Sequence, residues 1–182
     1  MEAAVLAHTI SNSGAGFSGA SAVHLNLFGP HPIVVFGTEE QKKRFLPPLI
    51  KGEDRACFAV TEPDSGLNTM ALKTEAVRDG DNYIINGRKL WTTTAQTANK
   101  ILLITRTSAA DSGAAPGKSL TLFYTDLNRD RIEVREIEKM GRGAVDSNSL
   151  FIDDLVVPVT DRIGEEGEGW KCLLHGINPE RI

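Results

Sequence analysis

Residues 71–93, ALKTEAVRDGDNYIINGRKLWTT, contain two runs in which apolar and polar residues alternate. Such alternation is typical of strands that are buried on one face. Asp79-Gly80-Asp81 separates the two runs and predicts a hairpin turn. Asn86-Gly87, inside the second run, is also a typical tight-hairpin dipeptide, and it predicts another turn. The stretch therefore predicts an antiparallel β region.

The same character extends over residues 55–164, where several short strand-like runs alternate with turns. The runs are KILLITRT, LTLFYTDL, RIEVREIE and SLFIDDLVVP. Many short strands without intervening helices predict an antiparallel β-barrel or sandwich rather than a doubly wound sheet.

Helical patterns flank the β region on both sides. In residues 1–54, Thr38 fits a helix N-cap with Gln41 as its capping-box partner, and Gly52 fits the helix end. In residues 165–182, apolar residues recur at helical spacing from Trp170 onward. The fold class predicted is α+β, with a β domain in the middle and partial helical domains at either side.

Composition excludes several classes of protein. The formal net charge of -4 gives no reason to expect a nucleic-acid partner. No apolar run approaches the ~18 residues of a membrane span, and the acidic start MEAAVLAHTI is unlike a secretory signal. The two cysteines are far apart, which predicts reduced thiols in a protein that is not secreted. The four histidines lack ligand spacing, so no metal site is predicted.

Gly14, Gly16 and Gly19 have the G-x-G-x-x-G spacing of dinucleotide-binding folds. That motif works only between a strand and the start of a helix, where the helix N-terminus meets a pyrophosphate. A helix-like segment precedes it here, so we predict a loop between helices and no nicotinamide site.

Two strand ends place hydroxyls beside aromatic residues. FAVTEP carries Phe58 and Thr61, and KLWTTTAQ carries Trp91, Thr92 and Thr93. Strand alternation puts Trp91 and Thr93 on one face and Thr92 on the other. A flat ligand with a polar edge, such as a flavin ring, suits an indole beside neutral hydrogen-bond donors. A tryptophan that fills a β core among strand-forming threonines fits the same pattern, so these residues alone leave both alternatives open.

The order of several motifs resembles the acyl-CoA dehydrogenase family. Residues 58–95 carry its T-E-P turn followed by G-D-x-Y-x-I-N-G-x-K-x-W. KMGRGAVDSNSLFIDDLVVP is similar to its later strands, and IGEEGEGWKCLLHGINPERI to the opening of its C-terminal helical domain. FGTEEQKKRFLPPLIKGE is similar to the helices before its β domain, so the resemblance covers nearly the whole chain.

The family fold implies a division into three parts. Residues 1–54 would be the C-terminal part of the N-terminal helical domain, and residues 55–164 the middle β domain. Residues 165–182 would be the first helix of a truncated C-terminal helical domain. On this basis we expect a fragment that is inactive alone and binds flavin weakly or not at all.

The resemblance also implies FAD-dependent α,β-dehydrogenation of an acyl-CoA thioester. In the family a carboxylate removes a proton from Cα, hydride passes from Cβ to flavin N5, and electrons continue to an electron-transfer flavoprotein. The full-length enzyme would be a homodimer or homotetramer, in the cytoplasm of a bacterium or in a mitochondrion or peroxisome. Two alternatives stay open: an acyl-CoA oxidase or flavin monooxygenase on the same fold, and a non-catalytic β-barrel binding module.

Site residues follow by matching this sequence to the family motifs. The implied cofactor-binding residues lie on the two strand ends: Phe58, Val60, Thr61, Trp91, Thr92 and Thr93.

The implied substrate-binding residues are Leu67, Asn178 and Arg181. Leu67 stands where many members have a serine that contacts the thioester ligand, and Asn178 where many have an aspartate near the CoA adenine. Glu180 stands where a minority of members have the catalytic base, whereas most have it farther downstream. It also fits a first-turn acid that follows Asn178-Pro179 and favours the helix dipole.

Overall fold

The structure, a computed structural model, describes residues 2–108, 116–143 and 145–180, apart from the side chains at positions 27, 116, 179 and 180. In these ranges, four α-helices precede the strands and one follows them. They are α1 Glu2–Ile10, α2 Gly16–Phe28, α3 His31–Phe36, α4 Glu39–Lys51 and α5 Gly169–Glu180. Within the described ranges, no helix is both long enough and apolar enough to cross a bilayer.

A π-helical turn, Ser11–Ala15, joins α1 to α2. Gly14 has a φ of 97°, which a residue with a side chain rarely adopts, so this position forms the kink between the two helices. The predicted loop is wrong, because Gly14 lies in this helical turn and Gly16 and Gly19 belong to α2. A helix and not a strand precedes the motif, as its sequence context predicted.

Helix α4 begins and ends where the sequence predicted. The Thr38 hydroxyl accepts a hydrogen bond from the Gln41 backbone N–H at 3.2 Å, and the Gln41 side chain accepts one from the Thr38 N–H at 3.0 Å. Gly52 ends the helix in the left-handed conformation. The Gln41 amide also donates to the carbonyls of Thr160 and Arg162, which fixes α4 against the end of the β region.

Among the described residues, eight strands form one sheet in the order β6-β7-β3-β2-β4-β5-β8, with β1 paired to β4. They are β1 Ala56–Ala59, β2 Glu75–Asp79, β3 Asn82–Thr93, β4 Lys100–Arg106, β5 Leu120–Asp126, β6 Ile132–Glu136, β7 Ser147–Pro158 and β8 Arg162–Ile163. The predicted α+β class is confirmed. The predicted barrel or sandwich describes the sheet only loosely, because the sheet does not close: its end strands, β6 and β8, do not pair with each other in the described ranges. The sheet is also not wholly antiparallel, since β4 pairs in parallel with β1 and β2.

Strands β4 and β5 are buried on both faces, which explains their almost continuous apolar sequences. Ile101 and Leu103 belong to a core cluster shared with β3 and β7. Leu102 and Ile104 belong to a second cluster on the opposite face, which includes residues of α3, α4 and α5 such as Leu173. The helices therefore cover one face of the sheet.

The hairpin predicted at Asn86-Gly87 is wrong, whereas the turn at Asp79-Gly80-Asp81 is confirmed. Strand β3 continues through Asn86, whose side-chain amide exchanges two hydrogen bonds with Asp154 of β7, at 3.0 and 2.8 Å. Gly87 has a φ of 154°, and a Cβ there would lie 2.6 Å from the Thr74 Cα. The glycine is needed for this close approach and not for a turn.

Gly87→Ala is expected to lower the free energy of unfolding by about 2–4 kcal/mol, because a methyl group would strike backbone at an unfavourable φ. Urea denaturation followed by circular dichroism measures the change. Gly143→Ala is the matched control, since a Cβ at Gly143 would meet nothing within 4 Å. Equal stability of the two variants would contradict the close approach.

Candidate functional site

A cleft of about 310 Å³ lies where α2 and α5 meet the end of β1 and the last residues of β3. Its lining combines apolar side chains with three threonines. The lining residues are Leu25, Phe28, Phe58, Val60, Thr61, Gly66, Thr69, Leu90, Trp91, Thr93 and Ile177. None of these residues is ionisable, so the described lining of the cleft is electrically neutral.

Trp91 reaches the cleft because β3 bulges. Between Lys89 and Thr92, β3 has two residues where the paired β7 has one, so both Leu90 and Trp91 lie on the cleft side. Trp91 has a φ of 61°, a rare conformation for a bulky residue, and its side chain is 56% exposed. Bulges and strained backbone of this kind occur often beside functional sites.

The opposite wall of the cleft begins with Phe58. The ring of Phe28 from α2 packs edge-on against it, with 5.5 Å between the ring centres. After β1 ends, Val60 and Thr61 continue this wall, and the Thr61 carbonyl accepts a hydrogen bond from the Leu90 N–H at 2.8 Å. The two walls are thus joined directly beside Trp91.

The hydroxyls of Thr61, Thr69 and Thr93 make no hydrogen bond to any group in the described part of the chain. They are therefore available to a ligand in the cleft. Thr92 differs in position, because its side chain is buried away from the cleft. Its hydroxyl also has no hydrogen-bond partner among the described residues. Strand alternation had predicted this orientation, and it separates Thr92 from the other candidate cofactor residues.

An ion pair that the sequence interpretation missed lies behind the cleft. The Lys89 ammonium is 2.9 Å from a Glu62 carboxylate oxygen, and the two side chains are 0% and 4% exposed. The same ammonium donates to the Val60 carbonyl at 3.2 Å, and Glu62 accepts the backbone N–H groups of Lys73 and Thr74 at 2.7 and 3.0 Å. One signal in the sequence indicated the burial of Lys89. It lies an even number of positions after the buried Tyr83 and Ile85 along β3, so strand alternation puts all three side chains on the same face.

Burial and pairing act in opposite directions on these two groups. Burial lowers the pKa of Lys89 to about 8, although the Glu62 carboxylate opposes the shift. Burial also acts to raise the pKa of Glu62, but the Lys89 charge and the N–H donors outweigh it and bring that pKa below its ordinary value. We therefore treat both groups as charged at pH 7.

The predicted substrate residues lie outside the described cleft lining. Leu67 is fully exposed beside Gly66, which does line the cleft. Asn178 is exposed on α5, directly after the cleft residue Ile177. Arg181 and the side chain of Glu180 are outside the described residues.

A second cavity, of about 380 Å³, is lined by residues of α4 and the β8 region. Its two arginines already have partners, since Arg44 pairs with Asp161 and Arg162 lies 3.5 Å from Glu165. With its cations paired, this cavity is a weaker candidate than the neutral cleft beside the strained tryptophan.

Two family models match the chain in sequence order. The model described as "Acyl-CoA dehydrogenase, N-terminal domain" matches residues 1–53, and the one described as "Acyl-CoA dehydrogenase, middle domain" matches residues 57–155. The chain belongs to the acyl-CoA dehydrogenase family. The resemblance stated from the sequence motifs is confirmed.

Other acyl-CoA dehydrogenases resemble this chain both in sequence and in structure. Acyl-CoA dehydrogenase FadE26 of Mycobacterium tuberculosis is 33% identical over 92% of this chain and 42% of the relative. The structure of butyryl-CoA dehydrogenase from Megasphaera elsdenii aligns with a TM-score of 0.83 and 27% identity, over 90% of this chain and 43% of that one. The structure of a glutaryl-CoA dehydrogenase from Mycobacterium smegmatis in complex with FADH2 aligns with a TM-score of 0.80 and 29% identity, over 92% of this chain and 42% of that one. The chain thus spans about two fifths of the length of these proteins.

Proposed function

We propose that this chain provides the flavin-facing wall of an FAD-dependent acyl-CoA dehydrogenase. The observation that carries the proposal is the neutral cleft in which a strained, half-exposed Trp91 lies near three unengaged threonine hydroxyls. Family membership supports the same reaction class. The reaction would remove a proton from Cα and a hydride from Cβ of an acyl-CoA thioester and leave a double bond between the two carbons.

The residues present fit a flavin ring. Phe58, Val60 and Trp91 offer apolar and aromatic surface to a flat ring, and the hydroxyls of Thr61 and Thr93 offer neutral donors to its polar edge. FAD bound there would supply the acceptor for the hydride that the substrate loses. Leu25 and Ile177, from the two helices, would keep water from the reacting face.

Several finer assignments belong to the same proposal. Family membership supports three of them: the three-part division at residues 54/55 and 164/165, the electron-transfer flavoprotein as electron acceptor, and a homodimer or homotetramer. Leu67, Asn178 and Arg181 are proposed to face the acyl-CoA. The cytoplasmic, mitochondrial or peroxisomal location also stays a prediction.

The test is an activity assay on the protein made from its complete gene. We expect acyl-CoA to reduce an artificial electron acceptor in the presence of FAD, with little hydrogen peroxide formed in air. Peroxide in place of acceptor reduction would identify an oxidase instead. A protein with neither FAD binding nor turnover on short, branched or long acyl-CoA substrates would support the binding-module alternative.

Glu180→Gln in the same assay tests the candidate base. Glu180 lies one helical turn beyond the cleft residue Ile177 along α5. If Glu180 is the base, the variant loses about a hundredfold or more of its turnover while it still binds FAD; unchanged turnover places the base elsewhere. The 182-residue chain alone is expected to show no turnover, because it spans only about two fifths of the length of its family relatives.

A further inference from the structure

We infer that the buried Glu62–Lys89 pair is a positioning device that holds the two walls of the cleft at a fixed separation. The inference concerns residues that do not themselves line the cleft. Its consequence for flavin affinity rests on the proposed function, whereas its consequence for the backbone around Trp91 does not.

The position of the pair in the sequence links it to both walls. Glu62 directly follows Thr61, and Lys89 comes two residues before Trp91. The Lys89 ammonium contacts the Glu62 carboxylate at 2.9 Å and the Val60 carbonyl at 3.2 Å. One side chain of β3 therefore bonds to residues on both sides of Thr61.

Glu62 also hydrogen-bonds to a third segment, the residues just before β2. Its two carboxylate oxygens accept the backbone N–H groups of Lys73 and Thr74, which lead into β2. A backbone bridge between Glu62 and Ser65, with two N–H···O contacts of 3.2 Å, closes the turn that follows Thr61. The carboxylate thus joins the T-E-P turn, the start of β2 and the end of β3.

Trp91 needs such a support, because its positive φ is unfavourable for a residue with a large side chain. Strain persists only where neighbouring contacts over-determine the backbone. Here the contacts on one side of Trp91 are the Lys89 ion pair and the Leu90 N–H···O bond to Thr61. On the other side, Thr92 pairs with Asn148 of β7, and the Asn148 amide donates to the Thr92 carbonyl at 2.9 Å.

A packing role alone makes a different prediction from a positioning role. If the pair only fills space, similarly sized uncharged side chains would leave the cleft unchanged once the fold is retained. If it positions the walls, uncharged side chains would keep the fold and loosen the Thr61–Leu90 contact. Replacing both partners of a buried ion pair by side chains of similar volume avoids the unpaired buried charge that removing one partner leaves, so the two roles can be separated.

The test is the double variant Glu62→Gln/Lys89→Met, in the protein made from its complete gene. Amide hydrogen exchange at Leu90 is the readout that needs no flavin, and the FAD dissociation constant is the second. We expect a folded protein in which the Leu90 amide exchanges at least about tenfold faster and FAD binds at least about tenfold more weakly. Asp64→Asn, which breaks the exposed Lys73–Asp64 pair in the same turn, is the control and should change neither.

A folded double variant with unchanged exchange at Leu90 would overturn the inference, whatever its flavin affinity. If circular dichroism shows that the double variant is unfolded, the second double variant Glu62→Gln/Lys89→Gln, which leaves neither position charged and keeps hydrogen-bonding groups at both, decides by the same exchange measurement. If wild-type protein binds no FAD, the proposed function fails. The Leu90 exchange rate then still decides whether the pair positions the walls.

Discussion

Lys89→Met is expected to lower the free energy of unfolding by about 3–5 kcal/mol. The substitution keeps the length of the side chain but leaves the Glu62 carboxylate, which is 4% exposed, without its cation. A buried charge that loses its partner keeps the full cost of leaving water, and the two backbone N–H donors do not replace a full positive charge. The measurement is urea denaturation at pH 7.

The structure offers a matched control in the same turn. The ammonium of Lys73 lies 3.0 Å from the Asp64 carboxylate, almost the distance of the Lys89–Glu62 pair, but both side chains are largely exposed. Lys73→Met should therefore change the free energy of unfolding by no more than about 1 kcal/mol. Equal effects of the two substitutions would show that the Lys89–Glu62 pair is not buried as described.

Strand patterning predicted much of the β region. The runs predicted as strands, KILLITRT, LTLFYTDL, RIEVREIE and SLFIDDLVVP, correspond to β4, β5, β6 and β7 in that order. The Asp79-Gly80-Asp81 turn joins β2 to β3. Local signals were sufficient there because alternation and turn residues act over a few positions. The capping box of Thr38 was predictable for the same reason.

Features that depend on distant contacts were not predictable in this way. Asn86-Gly87 has the residues of a tight turn, yet Gly87 is required by the approach of Thr74, thirteen positions earlier in the chain. The parallel pairing of β1 with β4 joins segments separated by the whole β2–β3 hairpin. Neither contact leaves a periodic trace in the sequence.

The cleft was predictable only in part. Sequence patterns predicted Phe58, Thr61, Trp91 and Thr93 as ligand contacts. All four line one cleft in the structure. Alternation also assigned Thr92 to the other face. The bulge that puts both Leu90 and Trp91 on the cleft side was not visible, because a single inserted residue leaves the composition of a strand unchanged.

Trp91→Ala is expected to weaken FAD binding by about thirtyfold or more, which corresponds to roughly 2 kcal/mol. The indole supplies a large aromatic surface at the cleft, and Trp91 is 56% exposed. Trp91→Phe should retain part of the affinity, since a smaller ring can still stack. Titration of the apoprotein from the complete gene with FAD, followed by flavin absorbance, measures both dissociation constants.

The most direct test of the flavin-facing cleft is tryptophan fluorescence during that titration. Residues 1–182 contain two tryptophans, and Trp170 packs against the helical core cluster rather than lining the cleft. FAD should quench the emission of Trp170→Phe as much as that of wild-type protein, because Trp91 remains. The quenching should be clearly smaller in Trp91→Phe, at FAD concentrations where absorbance shows that the flavin is bound; any tryptophan outside these residues is common to both variants and does not affect the comparison. Equal quenching in the two variants would place the flavin away from Trp91 and contradict the proposed site.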